Sequence, residues 1–519
     1  MLSIRFLGIF QPPYTDEGAY VACAWILMRL PAYLVPDFAP TSLNLYSSLI
    51  ALFLPSDSNP LILMRWIDAV IASCFSAIHF LLLHLISRSL FGAIFIAIIS
   101  GLLLNNPLFI NAGFKNPAFL AFLFFTTGIL LWGLVAMAEE RKNMSWRKAA
   151  LIAACFAACV ASREQFGIYI LACAVALMLF GRWNDCIKIF SLSLGLFILI
   201  VLFISILRGN PILHLQGIFA TYTKMLKLFP AMEIGYNMYS HRVAMAKDAI
   251  GVTAWAVIPA FLIIIISMLI GSKNINCREY AVRTRWLFFG IVLSLCSFVE
   301  FFSKMGFPYH LSYCIFGISL SCAAAYNIFV SRFGLHGACF IGVIMGISMV
   351  TVPSVKGNEE ICLKESSLYL AIKNYKVAIN LSGQFQNAVA GDWSDPMIEE
   401  SYYLSTAARL RENAKPNDSL LVGSGLILYP LTGIKPWNPA MLDYLTFLMA
   451  KSVGAENGQP ESIPFGMPNL IVETNRYPAF KLKSIFPSLE SDYNLVAEIP
   501  TGKSHYGQFA CRIWRLRNK

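Results

Sequence analysis

Two adjacent carboxylates, Asp16 and Glu17, form the pair with the clearest chemical potential in the sequence. They lie in the segment PPYTDEGAYVACAW (12–25), after a stiff Pro-Pro and before an apolar run. Adjacent carboxylates at a low-dielectric boundary ionise at different pH, which suits one of them to act as a general base or to hold a divalent cation. The same pair is also typical of a helix start, with Asp16 as the N-cap and Glu17 as a first-turn acid. The residues alone leave both interpretations open.

The composition indicates that these carboxylates belong to a membrane protein. The chain has 519 residues, of which 57% are hydrophobic and 13% are charged, and its mean hydropathy is +0.63. Soluble domains carry roughly 25% charged residues, so soluble enzymes, disordered scaffolds and disulfide-rich secreted modules are excluded. We therefore expect an all-α polytopic membrane protein.

Ten apolar runs are long enough to be read as membrane spans, and the count supports a bundle of 10 to 12 transmembrane helices. The predicted spans are 61–86, 88–104, 117–137, 148–162, 165–181, 188–207, 248–271, 285–302, 308–330 and 335–352. Only ten residues precede Gln11, about half of a span. We expect either that a first helix is truncated there, or that the segment 18–35 dips into the membrane.

The cations of the short loops predict the orientation of the bundle. When the spans are assigned alternately to two sides, one side carries twelve Lys and Arg residues and the other carries three. The positive-inside bias makes the first side cytoplasmic. The loops 11–60 and 208–247 and the chain after residue 353 are then external.

The C-terminal part, 354–519, is predicted to be an external α/β domain, and 1–353 the transmembrane domain. The segment 401–413 has helical spacing and is followed by a turn at Pro416. Strand-like runs follow at 419–423, 470–473, 494–499 and 509–515, which favours a small, partly parallel sheet.

Two cysteines, Cys362 and Cys511, lie near the ends of this domain. Domain termini are often close together, so a disulfide between them is one hypothesis for an external domain. Two unrelated buried thiols are the alternative.

The segment that follows Asp16-Glu17 resembles the first external loop of membrane glycosyltransferases of the C-type fold. In those enzymes an acidic pair precedes an amphipathic helix, an Asp-Phe pair, a proline-bearing segment, a second external helix and an arginine that opens the next span. The matching positions here are Asp16-Glu17, Asp37-Phe38, Pro40, 43–54 and Arg65.

Two further segments are similar to the bacterial relatives of the protein mannosyltransferases and aminoarabinose transferases. FPYHLSYCIFGISL (307–320) resembles their aromatic-histidine segment, although His310 is followed by Leu instead of the usual Tyr. ARLRENAKPNDSLLVGSGLILYPLTGIKP (408–436) resembles their external domain. The resemblance covers the chain from about Gln11 to the C-terminal domain.

The resemblance implies an inverting glycosyltransferase that moves a sugar from a polyprenyl-phosphate donor to a glycolipid, polysaccharide or protein acceptor. It places the reaction on the outer face of the bacterial cytoplasmic membrane, with the lipid bilayer as a further partner. The near-neutral charge of the chain after residue 353 separately argues against a nucleic-acid partner. Asp16 is then the catalytic base, and Glu17 and Asp37 orient the acceptor or the base.

Departure of a phosphate generates negative charge, so external cations are expected to stabilise it. The expected substrate-binding residues beside Asp37 are Lys115, Arg163, His241, Arg242, Lys304 and His310. Arg163 lies in the turn SREQ between two spans, where its guanidinium could bind a phosphate in bidentate fashion. The alternative is an interfacial arginine that snorkels to the headgroups.

Many members of these families carry an acidic residue in the next external loop, where this sequence has NNPLFINAGFKNP (105–117) with Lys115. Asp16 and Glu17 alone make a poor cation site. No metal ligand is therefore assigned, although the sequence leaves a divalent cation open as a cofactor. A transporter or flippase for lipid-linked sugars, and a non-catalytic binder of such sugars, are the alternative functions.

Overall fold

The protein is described here from a computed structural model. The structure describes residues 60–104, 118–138, 144–179, 181–207, 277–303, 312–351, 353–356, 360–366, 402–423, 425–437, 466–474, 482–500 and 509–517, and the single positions 22, 25, 45, 46, 212 and 444. The predicted span 248–271 lies outside these residues.

Most of the described chain before residue 352 is helical. The helices are α1 (Pro60–Ser87), α2 (Leu90–Leu104), α3 (Ala118–Ala138), α4 (Trp146–Ser162), α5 (Gly167–Leu179), α6 (Trp183–Leu207), α7 (Cys277–Ser303) and α8 (Ser312–Thr351). Gly334 interrupts α8 with φ 55° and ψ −138°, a backbone conformation that only glycine adopts easily. The predicted spans 308–330 and 335–352 are therefore the two halves of α8.

Three described segments are long and apolar enough to cross a membrane, namely Trp66–Ser87, Trp183–Ile206 and Tyr313–Ser331. Phe119–Val135 and Gly167–Met178 are shorter apolar helices. Apolar helices of this length match the hydrocarbon thickness of a bilayer, so the chain is a helical membrane protein. The total of ten to twelve spans and their orientation stay predictions.

The described elements belong to two compact units. The first contains the helical residues of Asp68–Ile200, together with α7, α8 and a small antiparallel hairpin of strands β1 (Pro353–Lys356) and β2 (Glu360–Ser366). The second contains the described elements from residue 402 onward, together with the start of α1 up to Ile67 and the end of α6 from Val201. The predicted domain division after residue 353 stays a prediction.

Helices α7 and α8 of the first unit touch through their backbones. A Cβ atom on Gly290 would lie 2.5 Å from the carbonyl oxygen of Gly317, and one on Gly317 would lie 2.6 Å from the carbonyl oxygen of Gly290. Two serines, each one turn from one of these glycines, form hydrogen bonds across the same contact. The hydroxyl of Ser294 on α7 donates to the carbonyl oxygen of Cys314 on α8, and the hydroxyl of Ser321 on α8 donates to that of Leu287 on α7. Small residues allow such close approach between helices in membranes, where the hydrophobic effect does not drive helix association.

A polar network joins the α3–α4 and α5–α6 connections at the end of the bundle predicted to be cytoplasmic. The buried carboxylate of Asp185 accepts the backbone N–H of Met144 at 2.8 Å and the Nε–H of Arg182 at 2.5 Å. Lys188 donates to the carbonyl oxygen of Met144 at 2.9 Å and lies over the ring of Trp146. These basic residues, which the sequence suggests only as orientation signals, therefore also hold two helix connections together.

The second unit is built on a five-stranded sheet with the order β4-β3-β5-β7-β6. Its strands are β3 (Ser419–Val422), β4 (Lys435–Pro436), β5 (Leu470–Thr474), β6 (Tyr493–Pro500) and β7 (Phe509–Leu516), and its helices are α9 (Tyr402–Asn413), α10 (Leu428–Thr432) and α11 (Leu489–Asp492). Strand β3 pairs in parallel with β4 and β5, whereas β7 pairs antiparallel with β5 and β6. The predicted small, partly parallel sheet is confirmed.

The Lys-Pro-Asn-Asp turn between α9 and β3 is fixed by its own residues. Asn417 has φ 70°, as the third position of a type II turn after Pro416 requires. The carboxylate of Asp418 accepts the backbone N–H of Lys415 at 2.8 Å and also contacts Arg515 of β7 at 3.1 Å. The turn therefore ties the start of the sheet to its last strand.

Cys511 is a buried free thiol on strand β7. The hypothesis of a Cys362–Cys511 disulfide is therefore wrong for this structure, because the Cys511 sulfur is not bonded to another cysteine. Burial raises the pKa of the Cys511 thiol to about 12, and the nearby carboxylate of Glu473 acts in the same direction, against a hydrogen bond with Thr406. The thiol is thus neutral at physiological pH.

Replacement of Gly290 by alanine tests the contact between α7 and α8. We expect Gly290→Ala to lower the free energy of unfolding by about 1–3 kcal/mol, because the added methyl group meets backbone atoms that cannot move aside. The matched control is Gly195→Ala on α6, where a Cβ would meet nothing within 4 Å and where alanine is the better helix former. Thermal unfolding in detergent measures both, and equal stabilities would contradict the backbone contact.

The burial of Cys511 predicts slow alkylation. At pH 8 a thiol with a pKa of about 12 is ionised to only about one part in 10⁴, so iodoacetamide should modify Cys511 only after denaturation. The control is the exposed position Ser491, where Ser491→Cys should react in the folded protein. Mass spectrometry without reductant measures both sites, and a recovered Cys362–Cys511 peptide would contradict the free thiol.

Candidate functional site

Of the residues expected to form the site, the structure describes Arg163. The other expected residues lie outside the described residues, and they are Asp16, Glu17, Asp37, Lys115, His241, Arg242, Lys304 and His310. Their roles stay predictions. The candidate site is therefore built outward from Arg163.

Arg163 occupies the predicted tight turn between two helices. It is the C-cap of α4, with φ −157° and ψ 107°, and its N–H still donates to the carbonyl oxygen of Cys159. A short 3₁₀ segment, Glu164–Phe166, follows at once and leads into α5 at Gly167. Because the backbone turns within these few residues, Arg163 lies at the end of the bundle where α4 and α5 are connected.

The side chain of Arg163 turns inward. Only 6% of the residue is exposed, its Nε–H donates to Oε1 of Gln165 at 2.7 Å, and its guanidinium lies 5.5 Å from the ring centre of Tyr313. A snorkelling arginine would extend its head group away from the bundle, so that alternative is wrong. A guanidinium over a tyrosine ring is a favourable cation–π arrangement, more so where water is excluded.

The ring of Tyr313, over which Arg163 lies, belongs to a larger group of packed aromatic rings. We call Phe75, Phe122, Phe125, Phe166, Tyr169, Tyr313 and Phe316 the aromatic cluster. Tyr313 lies 4.8 Å from Phe122, 5.3 Å from Phe166 and 5.4 Å from Tyr169, measured between ring centres. The rings come from α1, α3, α5, α8 and the 3₁₀ segment before α5, so the cluster joins four helices and the turn that carries Arg163.

The rings from α8 belong to the segment 307–320 that carries the family resemblance. Tyr313 and Phe316 lie one helical turn apart in that segment, and both contact Phe122. The segment that carries the resemblance thus contains the ring that lies against Arg163, a contact that the sequence alone does not show.

His79 of α1 lies next to the cluster and is buried. Its ring stacks on Phe75 at 5.6 Å, lies 5.1 Å from Phe316, and its Nε2 is 3.1 Å from the hydroxyl oxygen of Ser319. The sequence analysis did not identify His79. The signal was an ionisable residue inside an apolar span, which is costly and therefore a functional candidate by default.

The described residues contain no group of three or more His, Cys, Asp or Glu side chains that could hold a metal ion. The cation Arg163 and the rings beside it are suited to an anion that has an apolar or ring-shaped part. In an environment with little water, the guanidinium interacts with such an anion more strongly than it would in solution.

Comparisons with known proteins give structural likenesses only. No protein-family model matches the chain, and no curated protein matches it. The structure is similar to the Archaeoglobus fulgidus oligosaccharyltransferase in its apo form, at 11% identity over 90% of this chain and 66% of that chain, with a TM-score of 0.42. The same enzyme in complex with Zn and sulfate gives 11% identity over 96% and 70% of the two chains, with a TM-score of 0.48.

A third similar structure is ArnT from Cupriavidus metallidurans in the apo state. The identity is 10% over 97% of this chain and 93% of that chain, and the TM-score is 0.32. These are glycosyltransferases of the C-type fold, the class that the segments 12–70, 307–320 and 408–436 resemble. The chain spans about two thirds of the length of the archaeal enzyme, and at these scores the likeness assigns no residue a role.

Loss of the Gln165 acceptor tests how Arg163 is held. We expect Gln165→Leu to lower the free energy of unfolding by about 1–3 kcal/mol, because a buried guanidinium N–H loses an acceptor. The matched control, Gln165→Glu, keeps an oxygen at the same place and should be at least as stable as the wild type. Thermal unfolding in detergent measures the stability of both variants. A Gln165→Leu protein as stable as the wild type would show that the Arg163–Gln165 hydrogen bond does not stabilise the fold.

Proposed function

We propose that this protein is an inverting membrane glycosyltransferase that moves a sugar from a polyprenyl-phosphate donor to a hydroxyl acceptor. The acceptor class is a glycolipid, a polysaccharide or a protein, and the reaction takes place on the outer face of the cytoplasmic membrane. The observation that carries the proposal is the buried Arg163 guanidinium over Tyr313 at the end of an apolar helix bundle.

A polyprenyl phosphate has the two properties that such a site suits. Its phosphate is an anion that stays near the membrane surface, and its isoprenoid chain belongs in the hydrocarbon. A guanidinium binds phosphate through parallel N–H donors, so it recognises both the charge and the shape of the group. The apolar helices of the bundle supply surface on which the chain can lie.

The reaction needs one base and a stabilised leaving group. Asp16 accepts the proton of the acceptor hydroxyl while the hydroxyl oxygen attacks the anomeric carbon of the donor sugar. A new carbon–oxygen bond forms on one face of the sugar, and the bond to the phosphate oxygen breaks on the other, which inverts the configuration. The polyprenyl phosphate leaves as an anion, so no acid has to protonate it.

Several side chains share the remaining work in this proposal. Glu17 and Asp37 orient the acceptor or the base, and the cations Lys115, Arg163, Arg242 and Lys304 oppose the growing charge on the phosphate. His241 and His310 hydrogen-bond the donor or the acceptor. Stabilising charge at the position where it develops in the transition state is commonly the largest single contribution to catalysis.

The decisive experiment is turnover by the purified protein in nanodiscs with a panel of polyprenyl-phosphate sugars. Release of polyprenyl phosphate together with a glycosylated acceptor supports the proposal. Binding without turnover would indicate a binder of lipid-linked sugars, and movement of the intact donor between leaflets would indicate a flippase.

Asp16→Asn tests the base. We expect turnover to fall by about 10² or more, the usual scale for loss of a general base, with an unchanged unfolding temperature. The matched control is Asp57→Asn, a carboxylate of the same predicted external loop, which should leave turnover unchanged. Wild-type activity in Asp16→Asn would return Asp16 to the role of a helix N-cap.

A further inference from the structure

We infer that His79 is a positioning residue, which holds Tyr313 beneath Arg163 through a hydrogen bond to Ser319. The significance of this role for donor binding rests on the proposed function. The claim that His79 positions Tyr313 rests on the described contacts alone.

The hydrogen bonds assign the tautomer of His79. The hydroxyl of Ser319 lies 2.6 Å from the carbonyl oxygen of Phe316, an atom that can only accept, so the serine proton points there. The same hydroxyl oxygen is 3.1 Å from Nε2 of His79 and must accept in that contact. Nε2 therefore carries a proton and donates to Ser319. The buried Nδ1 has no hydrogen-bond partner among the described residues to which a second proton could be donated, which favours the neutral imidazole.

The second ring nitrogen of His79, Nδ1, indicates that this residue does more than fill space in the core. Nδ1 is buried and receives no hydrogen bond from any described residue. A phenylalanine would fill the same space between Phe75 and Phe316 without an unpaired acceptor. Burying such an acceptor is unfavourable, so the role of His79 must come from its donor, Nε2–H.

The Nε2–H donor forms an interaction that depends more closely on distance and angle than the contacts between the surrounding rings do. Ring contacts between helices tolerate sliding and rotation, whereas a hydrogen bond between two short side chains tolerates little of either. Single buried polar residues set the register of packed helices in this way. The His79–Ser319 bond thus fixes the rotation and axial position of α8 against α1.

The register of α8 decides where Tyr313 lies. Tyr313, Phe316 and Ser319 succeed one another at intervals of three residues, so each lies about one helical turn from the next along α8. A slip of one residue along a helix corresponds to a turn of about 100° and a rise of about 1.5 Å. Such a slip would carry Tyr313 away from the position 5.5 Å from the guanidinium of Arg163.

The test uses the full chain and a probe that does not depend on turnover. Phenylglyoxal modifies arginine, and peptide mass spectrometry measures its rate at Arg163. We expect His79→Phe to raise this rate about fivefold, the population change expected when one net hydrogen bond is lost. Ser319→Ala should raise it similarly, and the double variant should exceed neither single variant, because both lose the same bond.

Two variants serve as controls. His79→Gln keeps an N–H donor at the position of Nε2, so it should keep the Arg163 rate within about twofold of the wild type. His84→Phe changes an exposed histidine further along α1 that stacks on Phe80, and it should leave the rate unchanged. If His79→Phe does not fold, Ser319→Ala decides the question. An unchanged Arg163 rate in the folded variants overturns the inference.

Kinetics separate this inference from the proposed function. If the wild type turns over a polyprenyl-phosphate sugar, His79→Phe should lower kcat/KM for that donor by about tenfold, since small displacements in a binding site are costly. His79→Gln should restore most of the loss. No turnover by the wild type refutes the proposed function and leaves the phenylglyoxal result to decide the inference. Turnover by the wild type with unchanged Arg163 reactivity in the variants refutes the inference alone.

Discussion

The backbone contact between Gly290 and Gly317 is the constraint on which the rest of the first unit depends. It brings α7 and α8 together at a distance that no side chain permits, and it thereby places α8 in the interior of the bundle. The buried side chains of Tyr313–Ser331 all take their positions from that placement. In a membrane, helix association relies on such close packing, because lipid surrounds apolar side chains as favourably as protein does.

Packing alone leaves a helix free to rotate or slide, and polar groups on α8 remove that freedom at two depths. At one end of the span, the side-chain amide of Asn327 donates to the carbonyl oxygen of Ile86 at 2.8 Å, and Arg283 donates to the carbonyl oxygen of Asn327 at 3.2 Å. Nearer the other end, Ser319 accepts from His79. Both sets connect α8 to α1, so the two helices are held at two points along a single span.

The sequence predicts those parts of the fold that depend on hydropathy. Helices α1 and α3 begin and end within one residue of the predicted spans 61–86 and 117–137, because long apolar runs have no stable place outside a membrane or a core. The strands β3, β5, β6 and β7 are predicted for a similar reason, as short runs rich in apolar residues between turns. The hairpin β1–β2 was missed, since 353–366 carries no alternating pattern.

The sequence fails where the outcome depends on which residues meet in space. The SREQ turn is visible in the sequence, but the inward direction of Arg163 depends on Gln165 and on Tyr313, which is 150 positions further along the chain. His79 looks like an isolated polar residue until Ser319 is placed beside it. The position of Cys511 at one end of its domain suggested a partner, whereas its burial within the sheet leaves it a free thiol.

The burial of Arg163 places a cation where most of its solvation by water is lost. A charge removed from water is unfavourable unless other groups replace the lost solvation. Gln165 and the face of Tyr313 are two of the groups that replace it. A bound phosphate would contribute a full opposite charge, and its attraction for the guanidinium would grow as charge builds on the leaving oxygen. Under the proposed function, Arg163 therefore interacts more strongly with the transition state than with the bound donor, and a difference of this kind is what accelerates a reaction.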